Sequence, residues 1–241
     1  MLVRESILNE TYESIRELKS LSKQIIFDND FEIDKFYNIK DLIKNIENYK
    51  VLKNFINSGV GLIFEFKEPD DSEGSYYESE NYDEQPEKEM LYKNFPLGFI
   101  VLFIDKENWK TVREKWDQVV RSRILVHEFQ HAYDDFRSNR KYAPKVFNAR
   151  SKNDSSQEKI NYFRSNHELS AYFTEKASQI NFIKDDKFID FRLALSRFKD
   201  NLMGMWHHLT PKIQKNLIRK ISQYYYKLKE EFEKDPTTFK N

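Results

Sequence analysis

Two histidines four residues apart, with a glutamate beside the first, stand at residues 127–131, which read His-Glu-Phe-Gln-His. Apolar residues on either side recur every three or four positions, which predicts one amphipathic helix through this segment. Residues four apart project from one helix face, so the imidazoles of His127 and His131 can reach a single Zn²⁺ ion. Glu128 is then turned toward a metal-activated water, for which it can act as general base. The spacing therefore predicts a zinc hydrolase site with one ion per chain.

A catalytic zinc site has three protein ligands and keeps the fourth position for water. The chain has no cysteine, so the third ligand must be a histidine or a carboxylate. The metzincin pattern is excluded, because Asp134 and Arg137 stand where it needs glycine and histidine. The next predicted helix offers His167 and Glu168, which point about 100° apart, so only one of them can bind the same ion. Glu168 could instead complete a Ser-x-x-Glu capping box that begins at Ser165, a purely structural role.

At these residues the chain resembles the gluzincins, zinc metallopeptidases in which a glutamate on the following helix completes the metal site. Residues 162–173 are more closely similar to the anthrax lethal factor and Pro-Pro endopeptidase group, and to small uncharacterised phage-encoded proteins with the same order of Tyr, Glu, Ala and Tyr. The resemblance covers about residues 97–180. The chain departs from thermolysin-like enzymes in having His167 before the glutamate and Ala171-Tyr172 after it.

The resemblance implies a zinc metalloendopeptidase with Glu168 as third ligand. It also implies that Tyr162 donates a hydrogen bond to the tetrahedral oxyanion, although a tyrosine in a chain with 14 of them is as readily a structural aromatic. Glu128 would take a proton from the metal-activated water and pass it to the leaving amine. The substrate would be a protein or peptide.

The pattern also offers two carboxylates and two further histidines near these residues or later in the chain. Asp134 or Asp135 can reach back one turn to accept the ring N–H that a ligand histidine does not use for metal, or can simply end the helix. His207 and His208 precede a helix start and are interpreted as structural or substrate-lining residues.

The remaining pattern predicts an α+β fold, a mostly helical zincin-like domain with a small β-sheet before the motif helix. Residues 5–58 are predicted to form two helices, the second through residues 39–56 and ending before Gly59. Residues 61–67 and 97–105 are predicted strands that pair. The predicted division is an N-terminal helical segment 1–60, a catalytic core 61–180 and C-terminal helices 181–241, and these are predicted to pack as one compact domain.

Residues 68–89 hold ten acidic residues and one lysine, and are predicted to be a solvated or disordered insert, either a solubilising hairpin loop or a gate for basic partners. The strand at 97–104 is a candidate edge strand that pairs with an extended substrate, or else it is buried between helices.

Composition excludes several classes of protein. A net charge of +0 argues against a nucleic-acid partner, and no segment resembles a signal peptide or a membrane span, so a soluble, cytoplasmic protein is expected. The oligomeric state is left open. The alternative function is a non-catalytic protein in which metal joins two helices and the surface binds a protein partner.

Overall fold

The computed structural model describes residues 2–66, 74–77, 93–104, 115–138, 166–202 and 205–239. The fold is α+β and mostly helical, with a small sheet before the motif helix, as predicted. The helices are α1 Leu2–Asp28, α2 Lys53–Ile56, α3 Lys115–Ser138, α4 Asn166–Ser178, α5 Phe191–Asn201, α6 Met205–His208 and α7 Pro211–Lys234. The strands are β1 Tyr37–Asn38, β2 Val60–Phe66, β3 Gly74–Tyr77, β4 Gly98–Ile104, β5 Ile183–Lys184 and β6 Lys187–Phe188.

The chain divides into two compact units. The site unit, Glu17–Ala171, contains the four-stranded sheet and helix α3. The terminal unit combines Met1–Arg16 with Tyr172–Asn241. The boundaries expected near residues 60 and 180 stay predictions.

The sheet of the site unit has the strand order β1-β2-β4-β3. Strands β2 and β4 pair as predicted, but they run parallel, from Val60 opposite Gly98 to Phe66 opposite Ile104. A hairpin that joins β2 directly to β4 is therefore excluded, because a hairpin joins antiparallel strands. Both strands are mainly apolar and are buried along most of their length, as parallel strands usually are.

Strand β4 lies inside the sheet, between β2 and β3, so the prediction of an exposed edge at residues 97–104 is wrong. Its buried alternative is confirmed, since Ile100, Val101 and Leu102 are at most 2% exposed. The acidic segment 68–89 supplies the neighbouring strand, because Gly74–Tyr77 pairs antiparallel with β4. At these four residues the expectation of an unstructured loop is also wrong.

Residues 39–56 do not form the second long helix that their apolar spacing predicts. They form two 3₁₀ turns, Ile39–Leu42 and Ile46–Asn48, followed by the single turn of α2. The Asn38 and Asn45 side chains accept backbone N–H bonds at the starts of these turns, and such local bonds compete with a continuous helix. Gly59 lies between α2 and β2 with a φ of +81°, a conformation that suits glycine.

A buried carboxylate on α1 holds the entry to α2. Glu17 is 8% exposed, and its carboxylate accepts the backbone N–H of Val51 at 3.0 Å and of Leu52 at 2.9 Å. These donors lie 34 and 35 residues away in sequence, so one side chain joins α1 to the turns that lead into the sheet.

We expect Glu17→Ala to lower the free energy of unfolding by about 1–3 kcal/mol, because it leaves two backbone donors without their acceptor. Glu47→Ala is the matched control: its side chain is 68% exposed in an ion pair with Lys53, and such pairs contribute about 0–1 kcal/mol. Denaturant unfolding of both variants measures the difference. Equal losses would show that the Glu17 bonds contribute nothing beyond an exposed pair.

The terminal unit contains the predicted C-terminal helices. Helix α7 begins where the sequence indicates, with Thr210 as N-cap and Pro211 in the first turn. Tyr12 donates a hydrogen bond to Glu231 at 2.6 Å, and burial together with this carboxylate raises the tyrosine pKa.

The described residues contain no helix that has both the length and the apolar character of a membrane span.

Candidate metal site

Helix α3 presents the motif because its opposite face is anchored in the hydrophobic core. Leu125, Phe129 and Ala132 are all 0% exposed, and Phe129 meets the ring of Phe55 edge to face. Tyr133 also packs edge to face on Phe55. Because this face is fixed in the core, the side chains of His127 and His131 on another face of the helix point in a defined direction.

His127 and His131 turn their Nε2 atoms toward each other at 3.1 Å. Glu168, in the first turn of α4, places Oε2 at 3.5 Å from the His127 Nε2 atom and Oε1 at 3.5 Å from the His131 Nε2 atom. The three residues thus converge as one group of metal-ligand types. The predicted pair of histidines and the predicted glutamate are brought together, close enough to bind a metal.

These separations fit a tetrahedral ion. With bonds of about 2.0–2.2 Å to nitrogen and oxygen, neighbouring ligand atoms around zinc lie about 3.3–3.5 Å apart. The three distances of 3.1, 3.5 and 3.5 Å bracket that spacing. Little movement is therefore needed for the three residues to hold one ion.

Burial supports the same interpretation. Glu168 and His131 are each 5% exposed, and a carboxylate withdrawn from water is stable only when its charge is compensated. A divalent cation among these side chains would supply that compensation and use the converging nitrogen lone pairs. The Glu168 carboxylate lies at the imidazoles, as a ligand should, and this favours its metal role over the capping role.

Three residues with predicted roles lie outside what the structure describes, either entirely or in their side chains. Tyr162, the expected oxyanion donor, lies outside the described residues, and so do Ser165 and the side chain of His167. Their predicted roles stay predictions. His207 and His208 lie exposed on α6 in the terminal unit and are not members of the ligand cluster.

The predicted general base, Glu128, is 7% exposed and lies beside strand β3. A Cβ atom at Gly74 would be 3.2 Å from Glu128 Cγ and 2.7 Å from Ile124 Cγ2, so only glycine lets the strand approach α3 this closely. The packing of strand β3 beside Glu128 was not predicted from the sequence. The signal was present as Gly-Ser-Tyr-Tyr, two strand-forming aromatics after a glycine, inside the acidic run.

We expect Gly74→Ala to push β3 away from α3 at Glu128 and to destabilise the protein by about 1–3 kcal/mol, the usual cost of overpacking. Ser75→Ala, one residue along the same strand, is the comparison. Thermal unfolding gives the stability of each variant. A Gly74→Ala protein as stable as Ser75→Ala would contradict the close approach.

Asp134 and Asp135 are separated by the structure into two environments. Asp134 accepts a hydrogen bond from Gln130 Nε2 at 2.8 Å, whereas Asp135 is 2% exposed and accepts one from the Tyr76 hydroxyl at 3.0 Å. Helix α3 continues to Ser138, so neither residue ends it. Asp135 is the buried carboxylate, and it lies on the His127 and His131 face of the helix.

No protein-family profile, no curated protein and no solved structure matches this chain. The argument for function therefore rests on the residues of the site and their arrangement.

Proposed function

We propose that the protein is a zinc-dependent metallopeptidase, with His127, His131 and Glu168 as ligands and Glu128 as general base. The observation that carries the proposal is the convergence of two imidazole nitrogens and one carboxylate at 3.1–3.5 Å, with a second buried carboxylate next to the first histidine.

The ligand chemistry favours zinc over the common alternatives. Imidazole nitrogens suit zinc, copper, iron and nickel, whereas magnesium and calcium prefer sites made of oxygen atoms. Two histidines and one glutamate are a ligand set of catalytic zinc. Among the described residues the cluster supplies three ligands, and structural zinc sites almost always have four, so the set supports an open, catalytic position.

A bound zinc ion would lower the pKa of a water molecule and polarise the carbonyl of a peptide bond. Glu128 would accept the proton released from that water and deliver it to the departing amine nitrogen. Its position supports this role, because β3 packs against its side chain at Gly74 and restricts its movement. Tyr162 is the proposed donor to the developing oxyanion.

A second candidate function is a protein in which the metal only joins two helices. It is favoured by one observation: the ligands come from α3 and α4, and Glu168 follows His131 by 37 positions, so an ion would link segments distant in sequence. This candidate predicts tight metal binding and greater stability with metal, without hydrolysis.

Metal content and hydrolysis together test the proposal. Protein purified without a histidine tag is analysed by mass spectrometry for metals, and about one zinc per chain is expected. The zinc-loaded protein is then incubated with an unfolded protein and with a peptide library, and cleavage should stop with a chelator and resume when zinc is added. Absence of metal after zinc has been supplied would refute both candidates, and bound zinc without cleavage would favour the second.

A further inference from the structure

The acidic segment 68–89 contributes a tyrosine that reaches the motif helix. Tyr76 lies on β3 opposite Ile100 of β4, and its hydroxyl oxygen is 3.0 Å from Asp135 Oδ2 and 2.9 Å from the backbone oxygen of Leu97. Three elements, β3, α3 and the chain entering β4, thus meet at one hydroxyl group.

That hydroxyl has a single proton and two acceptors. A hydrogen bond to a charged acceptor is about twice as strong as one between neutral groups, so the Asp135 carboxylate is the favoured acceptor. The hydrogen bond from Tyr76 also stabilises the Asp135 carboxylate, since this side chain is 2% exposed and a buried carboxylate depends on its hydrogen-bond donors. Tyr76 therefore fixes the orientation of the Asp135 side chain.

Asp135 in turn lies one helical turn beyond His131 on the same face of α3. Metal-binding histidines usually donate their second ring N–H to a carboxylate, which fixes the tautomer and the direction of the ring. Asp135 is the buried carboxylate one turn from His131 on this face. Among the described residues the His131 Nδ1 atom makes no hydrogen bond with Asp135, so for this role the bond must form when a metal occupies Nε2 and leaves the ring proton on Nδ1.

We propose that Tyr76 is a positioning residue of the metal site, which acts through Asp135 on the His131 imidazole. This inference rests on the proposed metal site. It gives the acidic segment a role at the site, because the segment carries a residue that sets how tightly the ion is held.

The test is zinc affinity, measured by competition with a chelating indicator dye. Tyr76→Phe removes only the hydroxyl group, and we expect it to raise the Kd for zinc about 10-fold, the lower end for losses in the shell around metal ligands. Tyr49→Phe is the matched control, because Tyr49 is 3% exposed in the same unit and its hydroxyl donates to Gln24 at 2.7 Å. Both variants lose a hydroxyl group that donates a hydrogen bond to a side chain, so a purely structural effect would appear in both.

A second pair of variants makes the test independent of how Tyr76→Phe folds. Asp135→Asn should raise the zinc Kd by about 10–100-fold, whereas Asp134→Asn on the same helix should not. Adding Tyr76→Phe to Asp135→Asn should cost less than the tyrosine change costs alone, since both act through one carboxylate.

The outcomes separate the two levels of inference. If the wild type binds zinc and Asp135→Asn retains the affinity of Asp134→Asn, or Tyr76→Phe that of Tyr49→Phe, the positioning role is refuted and the metal site stands. If the wild type does not bind zinc, the metal site itself is refuted, and the role of Tyr76 with it.

Discussion

A Glu128→Gln variant is expected to bind zinc like the wild type and to hydrolyse peptide bonds about 10²–10⁴-fold more slowly. Glutamine keeps the shape of the side chain, so its packing at Gly74 should be preserved. It cannot accept a proton at neutral pH, and this is the step assigned to Glu128. Initial rates of peptide cleavage, with zinc content measured on the same samples, check the expectation.

Asp134→Asn is the control for this variant, because it makes the same change of carboxylate to amide on the same helix, at a residue bonded to Gln130. It should cleave at the wild-type rate. A Glu128→Gln protein that retains full activity would exclude Glu128 as the base. Loss of zinc from that variant would instead show that Glu128 acts as a ligand.

Glu168→Gln is expected to lower zinc affinity by at least about 100-fold, since it removes the anionic ligand from a set of three. Zinc content after dialysis should fall from about one ion per chain to a small fraction, and hydrolysis should fall with it. The structure gives the reason: both Glu168 oxygens face the histidines, each 3.5 Å from one Nε2 atom.

Two variants on the same helix serve as controls for Glu168. Glu175→Gln makes the same chemical change two turns later on α4, and it should retain zinc. His167→Ala removes the competing ligand that the sequence left open. Retention of zinc in Glu168→Gln together with its loss in His167→Ala would assign the third position to the histidine.

Local patterns predicted much of this molecule, because they depend on residues close together in the chain. The helical repeat and the spacing of His127 and His131 are properties of one segment, and α3 has both. Strands β2 and β4 follow from short apolar runs, and α7 begins at its capping threonine and proline. Where side chains compete with the backbone, as at Asn38 and Asn45, the same reasoning predicted a helix that does not form.

Local patterns did not predict which segments distant in the chain lie together in the fold. The parallel direction of β2 and β4 depends on the path of the chain between them, which is not a property of either strand's own residues. Strand β3 was hidden within a run of acidic residues, although its Gly74 packs against Glu128. Its place at the site comes from a glycine that permits contact with a helix 54 positions later in the sequence.

Residue types and spacing alone thus predicted the chemistry of the candidate site, since two histidines four residues apart with an adjacent glutamate project in the same arrangement from any helix. For the third ligand, the residue pattern alone left Glu168 open to a capping role and to a metal role, and the resemblance favoured the metal role. The fold supplies the geometry, because it places the Glu168 carboxylate 3.5 Å from each histidine nitrogen. The link from Tyr76 to Asp135 spans 59 positions, and only the packing of a strand on a helix brings that hydroxyl and carboxylate together.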